Sequence, residues 1–199
     1  MRSLLLLSLA VCLLAIPAQA KYGGGSGTKE DPYQIGTAGQ LNAIGTDPND
    51  WDKHFVLMAD VDLKTLRGAS FNMIGVHSSY GRPFSGVFNG NGKTIANLTC
   101  NKVGATSFGL FAAVQGTDAL IKNLRLKGAT GAVSAPQGAG GLAGGTKGQQ
   151  GITGSFWDTQ TSGLSTSAGG SGKTTVQNED GRYVCRLGLR RHVDDSGGH

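Results

Sequence analysis

Charge, aromatic rings and cysteine are all in short supply in this chain, and each shortage closes off a class of function. Asp, Glu, Lys and Arg make up 16% of the sequence, and Phe, Tyr and Trp 7%. Between Lys21 and Val176 there are 13 Lys or Arg against 9 Asp or Glu, a net of +4 spread thinly along the chain. No basic cluster and no basic run interleaved with aromatics occurs, so the electrostatic footprint of a nucleic-acid binder is missing. So few acids, most with a local explanation, leave little material for the two carboxylates that a glycosidase sets across a cleft. His54, His77, His192 and His199 have no metal-ligand spacing, and no order of Ser, His and Asp is compelling as a triad. Three cysteines, Cys12, Cys100 and Cys185, cannot make a disulfide framework.

Long apolar runs are equally scarce. The one example, Leu4 to Ile16, follows Arg2 and precedes Ala18-Gln19-Ala20. These are the n-region, h-region and cleavage site of a secretory signal peptide (residues 1–20), too short to span a bilayer comfortably, with cleavage expected after Ala20. Acylation at Cys12 is disfavoured, because Val11 stands where a small residue is wanted. The expected exported product is a body of residues 21–176 with a tail, 177–199.

Glycine is what the chain has in excess: 34 of 199 residues, against a usual ~7%. The glycines follow no G-X-Y period, so collagen is excluded, and they fit the many tight corners of an all-β array. In PFSGVFNGNGKTIANLTC (83–100) the apolar residues Ile95, Leu98 and Cys100 break the period of two once, at Asn97. A step of three in a strand means a bend, and Asn tolerates the left-handed conformation that a bend needs. Ile121, Asn123, Leu124 and Leu126 repeat the arrangement at an offset of 26, and Gly109-Leu110-Phe111 repeats Gly86-Val87-Phe88 at 23. Gly140 to Gly144 reads as a weaker third copy of that Gly-Leu-Phe corner, with Gly151-Ile152-Thr153 as the strand after it. Strand, bend, strand in successive units predicts a solenoid of stacked β-coils, with Asn97 and Asn123 laddered at one corner and Cys100 a small core residue.

Other elements follow from local pattern. Thr37 to Gly45 predicts a short helix: Thr37 caps it, Gln40 completes a capping box, Leu41 and Ile44 share a face, and Gly45 suits the exit. Such a helix would plug one end of the solenoid. His54 to Leu63 predicts a strand with Phe55, Leu57, Ala59, Val61 and Leu63 on one face and Asp60 and Asp62 on the other. Phe71 to Gly75 predicts a second, shorter strand, and His77 to Arg82 a polar loop.

With these residues in hand, the chain resembles the secreted bacterial proteins that carry the GLUG motif. The resemblance rests on GSGTKEDPYQI, HFVLMADVDL, PFSGVFNGNGKTIANL, GGLAGG with GITGSFWDTQTSG, and SAGGSGKTT, and so covers roughly residues 22–176. It implies a right-handed parallel β-helix, exported, of the kind found in adhesin-like surface proteins, and it implies no catalytic set. Two departures stand out. Asn89 replaces the usual acid of FDGNG, and the GLUG-like repeat, near 140–158, occurs about once. The tail also departs from the pattern: Arg182, Arg186, Arg190 and Arg191 crowd into ten positions. Read one base forward, a permitted codon choice gives MKTAGTFVDWDYVDMWTIQ, a continuation of the family type. We therefore expect the tail to be a poorly ordered product of a shifted frame, against a genuine basic tail, and sequencing of the locus decides between them.

Asp60 and Asp62 could serve acid/base or Ca2+ chemistry, or simply be the wet side of a strand. Asp47, Asp50 and Asp52, with Asn49, are candidate Ca2+ ligands, or a turn around Pro48; their spacing is not an EF-hand's. Lys93 or Arg82 could act as the base of a lyase, without a supporting second element. GGSGKT (169–174) lacks the first glycine of a phosphate loop and its strand-to-helix setting. Asn97-Leu98-Thr99 is a glycosylation sequon placed in an expected buried strand. Trp51 and Trp157, expected to be exposed, with Tyr22, Tyr33 and Tyr80, could stack on sugars, although core or cap packing is the commoner fate of a tryptophan. The sequence thus predicts a secreted or cell-surface β-solenoid acting as a structural, adhesion or glycan-binding module. Its expected partners are polysaccharide or cell-surface components, with no cofactor, no nucleic acid and no catalysis. The rivals are a β-helix carbohydrate-active enzyme, lyase or glycosidase, and a truncated non-functional remnant.

Overall fold

The computed structural model describes residues 21–66, 70–75, 81–100, 107–128, 130–131, 138–139, 141–147, 151–162, 165, 167–174 and 177. The expected leader with Cys12, the loop holding His77 and Tyr80, and the tail from residue 178, with Cys185, His192 and His199, lie outside them, as does the side chain of Cys100. The described chain is all-β. β1 (Tyr33–Ile35) leads to α1 (Ala38–Thr46), β2 (His54–Leu57) and β3 (Val61–Asp62). One full pass then runs through β4 (Val87–Asn89), β5 (Thr94–Ala96), β6 (Thr99–Cys100), β7 (Ser107–Phe108) and β8 (Val114–Gln115). The next repeats it as β9 (Leu120–Lys122), β10 (Arg125–Lys127), β11 (Thr130–Gly131), β12 (Gly138–Ala139) and β13 (Thr146–Lys147). β14 (Gly151–Thr153), β15 (Phe156–Asp158), α2 (Thr159–Ser162) and β16 (Ser171–Lys173) close the described part.

Like strands of successive passes pair, and every such pairing is parallel. The first sheet runs β1-β2-β4-β9-β14 and the second β3-β5-β10-β15-β16, with two-stranded sheets β6-β11, β7-β12 and β8-β13. Phe55, Phe88, Ile121 and Ile152 stand in register in the first sheet, 33, 33 and 31 residues apart. Val61, Ile95, Leu126 and Trp157 do so in the second, 34, 31 and 31 apart. Parallel neighbours require a long crossover, and here the rest of each pass supplies it.

Period-two alternation decides what is buried. The middle residues Phe88, Ile95, Ile121 and Leu126 are fully buried, while their neighbours on each strand are half-exposed. Tyr33, Phe55, Phe88 and Phe111 make a continuous aromatic column, with ring centroids 5.6, 6.3 and 5.5 Å apart. Phe84 bridges Phe55 and Phe111 at 6.2 and 5.1 Å. Each ring buried in this way stabilises the fold by about 1.5–3 kcal/mol relative to exposure.

The capping box forms as predicted: Gln40 N donates to Thr37 Oγ1 (3.2 Å) and Thr37 N to Gln40 Oε1 (3.2 Å), while Leu41 and Ile44 are fully buried. The exit differs, since the helix runs on to Thr46 and Asp47 caps it. Gly45 is instead required by a close approach, because a Cβ there would collide with the Asn72 carbonyl.

Three other expectations need correction. The His54–Leu63 strand divides, because the chain leaves the first sheet at Met58 and Ala59, both exposed, and enters the second at Val61. Phe71–Gly75 is not a strand; Ile74 makes a single parallel bridge to Phe111. The repeat is 31–34 residues rather than 23 or 26. Gly86-Val87-Phe88 leads into the first sheet, but Phe111 pairs with Ile74 and Ala143 on another side of the pass. The third Gly-Leu-Phe copy was therefore well placed, at Gly141-Leu142-Ala143, and the first was not. Likewise Cys100 pairs with Gly131, not with the level of Leu126.

The bends at asparagine are real, yet Asn97 and Asn123 occupy different corners and form no ladder together. Between the two large sheets lie Asn91, Asn123 and Gly154, with φ of 52°, 54° and 54°; after the second sheet lie Asn97 and Gly128, at 58° and 62°. Asn123 accepts from Gly92 N (2.8 Å) and its Nδ2 lies 3.4 Å from Asn89 Oδ1, so its stack partners are in the Asn89–Gly92 turn. Asn97 stacks on Gly128, N to Lys127 carbonyl 2.9 Å. The offset of 26 had matched two bends of the same kind on different sides.

Candidate functional site

The outer face of the second sheet carries a groove of about 360 Å3 whose walls have opposite charge. In-register stacking builds it from three passes that lie far apart in sequence. Asp62, Ala96 and Lys127 fall in one outward column, and Thr94 and Arg125 lie side by side in the next, with Phe156 beyond. Asp60, one step before β3, donates no group but accepts from Thr94 N at 2.7 Å, which sets its carboxylate at the head of that second column. Adjacent strands are ~4.8 Å apart. Asp62 on β3 and the cation row on β10 therefore stand roughly two spacings apart, ~10 Å, over a floor of Thr94 and Ala96, while the Asp60 carboxylate reaches the level of Thr94.

Both acids are held in place. Asp62 accepts from Asn97 Nδ2 (2.8 Å) and Lys64 N (2.9 Å), with the Lys64 ammonium at 3.4 Å. Those contacts, Asn97 first and Lys64 second, hold its carboxyl below the usual range. On the opposite wall, Arg125 is half-buried, its backbone N donating to the Lys93 carbonyl (3.2 Å), and its guanidinium is in no ion pair among the described residues. Beyond β10, Lys173 Nζ sits 5.5 Å from the centroid of the Phe156 ring, close enough for a cation–π contact.

The pairing of Asp60 with Asp62 was legible from alternation. Arg125 and Lys127 were not singled out, although the alternating Arg125-Leu126-Lys127 could have marked them as outward-facing. The mistaken offset hid that they lie over Thr94 and Ala96.

The remaining candidates fall elsewhere. Asp47 and Asp50 do not surround a metal-sized gap; the Lys21 ammonium lies between them at 2.7 and 2.6 Å, Tyr22 Oη donates to Asp50 (2.8 Å), and Asp52 pairs with Lys53 (3.0 Å). No group of three or more His, Cys, Asp or Glu able to hold a metal occurs among the described residues. Trp51 and Trp157 are 3% and 5% exposed, so neither offers a ring face to a sugar, and Trp51 Nε1 donates to the Ile44 carbonyl at 2.7 Å. Tyr22 is buried as well, its ring tilted against Tyr33 with centroids 4.7 Å apart. Ser171–Lys173 is strand β16, paired with β15, and not a phosphate loop. Asn97 of the sequon lies at an exposed corner rather than in a buried strand. Lys93 and Arg82 have no acidic partner among the described residues that would mark either as a base.

No family model matches the chain, and no solved structure matches it. It is similar to a protein named Halomucin from Haloquadratum walsbyi, 33% identical over 111 residues. It is also similar to a protein of Evansella cellulosilytica provisionally named Gly-rich membrane protein, 34% identical over 110 residues. These alignments cover 53% and 54% of this chain but 1% and 12% of those relatives, so the likeness is local and to much longer proteins. No helix among the described residues is long and apolar enough to cross a membrane.

Proposed function

We propose that the chain is an exported right-handed parallel β-helix of the GLUG-motif kind that works as a glycan-binding module at the cell surface. Parallel stacking at a near-constant 31–34 residues supports the β-helix. The signal-peptide pattern of residues 1–20 and a Gly-rich relative named as a membrane protein support export to the surface. The single observation that carries binding is the groove with Asp60 and Asp62 facing Arg125 and Lys127. A sugar ring carries several hydroxyls, each able to donate and accept; carboxylates on one wall accept hydrogen bonds from some of them and cations on the other donate to the oxygens of others.

The groove argues against glycosidase chemistry. Such catalysis sets two carboxyl groups on opposite sides of the scissile bond, whereas Asp60 and Asp62 share one wall and the facing wall is cationic. The test is a glycan array probed with the full exported chain, in parallel with an assay for new reducing or unsaturated sugar ends. Binding without bond cleavage is expected. Release of sugar ends would overturn the reading in favour of an enzyme, and an empty array would remove glycan binding.

A further inference from the structure

We propose that the ligand of this groove is an acidic polysaccharide whose sugar rings carry carboxylates, with Arg125 and Lys127 as the anion subsite and Asp60 as the acceptor for a ring hydroxyl. This rests on the glycan-binding reading and narrows it.

Three observations choose this occupant. Arg125 is half-buried in no ion pair among the described residues, and its planar fork of donors matches a carboxylate. The floor between the charged walls is Thr94 and Ala96, short enough to leave room for a sugar ring above it. The acid wall then discriminates among anions. Asp62 stands on β3, two strand spacings or ~10 Å from β10, and Asp60, bonded to Thr94 N, holds its carboxylate about one spacing nearer. They would repel the crowded charge of a phosphate backbone or an anionic lipid surface, but accept hydroxyl protons from a ring that carries one carboxylate. Past β10 the next cation is Lys173, held over Phe156 and in register with the buried Asp158. A chain lying along the stacking direction and anchored at Arg125 thus meets a second cation two strands on, since β10, β15 and β16 are successive neighbours.

Binding of the full chain to polygalacturonate, to its methyl ester, to heparin and to phosphatidylglycerol vesicles tests this, by calorimetry at two salt concentrations. Polygalacturonate is expected to bind, and the methyl ester at least about tenfold more weakly, as befits loss of a charge-assisted contact. Arg125→Gln and Lys127→Gln are each expected to weaken polygalacturonate binding by about tenfold and to flatten its salt dependence, Arg125→Gln with unchanged thermal unfolding. Asp60→Asn is expected to weaken it by a few-fold. Equal affinity for the methyl ester overturns the proposal, and so does tighter binding of heparin or vesicles, or indifference to both cation variants. If neutral glycans bind on the array while polygalacturonate does not, the acidic ligand falls and the glycan reading stands. If no glycan binds at all, both fall.

Discussion

Replacing Asn123 by alanine and, separately, by glycine probes the corner on which the stack turns. Asn123 has φ of 54° and lies in the left-handed region between β9 and β10. A residue with a Cβ and no local hydrogen-bonding side chain costs about 1–2 kcal/mol there, and glycine costs little sterically. Alanine also forfeits the 3.4 Å approach of Nδ2 to Asn89 Oδ1, a contact long enough to add only a small amount. The backbone bonds on either side, Asn123 N to the Thr153 carbonyl (3.1 Å) and Gly92 N to the Asn123 carbonyl (2.8 Å), survive both changes. Asn123→Ala is therefore expected to destabilise by about 1–2 kcal/mol, which at ~2–4 °C per kcal/mol for a chain of this size is ~2–8 °C in Tm. Asn123→Gly should stay within about 0.5–1 kcal/mol of the parent, the difference being chain entropy. Gly128→Ala, at φ 62° and with a new Cβ only 3.0 Å from Asn97 Oδ1, should match or exceed the alanine cost. Urea and thermal unfolding followed by far-ultraviolet circular dichroism measure all three. An Asn123→Ala protein as stable as the parent, or a glycine variant as weak as the alanine one, would refute the argument that corner conformation limits the stack.

Phe88→Ala, in the centre of the aromatic column and fully buried, is expected to cost about 3–5 kcal/mol, read as a fall in urea midpoint at constant slope. Ala96→Gln puts a long side chain on the groove floor between Asp62 and Lys127, and should abolish glycan binding while leaving the melting curve within about 0.5 kcal/mol of the parent. The Lys21, Asp47, Asp50 and Tyr22 cluster predicts a pH profile with two arms. Asp47 is held below its ordinary value by Lys21 and by Asn49, so its contribution is complete above the usual carboxylate range and is lost as pH falls through the lowered value. Tyr22 is raised by burial and by its bond to Asp50. Lys21 is raised because hydrogen bonds to Asp47 and Asp50 outweigh partial desolvation. Both therefore favour the fold below about pH 10 and progressively less above it. Melting temperature plotted against pH for the parent and Lys21→Met should converge at both extremes; parallel curves would show that the cluster is not the titrating element.

Alternation was the legible part of this sequence, and register was not. Phe55, Leu57, Ala59, Val61 and Leu63 were read as one inward face; four are buried, because a side chain's face depends on its own strand, and Ala59 is exposed, because the chain leaves the strand there. The capping box was legible for the same reason, being complete within Thr37 to Gln40. What failed were the offsets of 23 and 26, which needed to know which residue of one pass lies over which residue of the next; the copy at Gly141-Leu142-Ala143 was in register with Phe111. Asn97 and Asn123 look alike because any bend in an apolar strand calls for the same residue type. With two bends in each pass, the nearest matching asparagine in sequence is on a different corner. Trp51 and Trp157 were misjudged for a related reason, since burial of a large ring is fixed by the neighbouring pass. Trp157 lies in register with Leu126, on the inward column.

The same dependence on register is why the groove escaped notice and why it is informative. Val61-Asp62, Ile95-Ala96 and Leu126-Lys127 are each an inward apolar residue followed by an outward one, and none of the three is unusual alone. Stacked in register, the inward members become a continuous core and the outward members become an acid, a gap and a cation in a row. The inward set is constrained by packing, so that almost any substitution there costs stability. Nothing in packing constrains the outward set, and the shortest ion pair would set a cation directly beside Asp62. Instead a methyl group separates them, and Asp62 takes its partners from its own neighbourhood, Lys64 and Asn97. An acid satisfied locally on one wall and an arginine in no ion pair among the described residues on the other leave a charge pattern that folding does not require, and that a ligand with both hydroxyls and a carboxylate would complete.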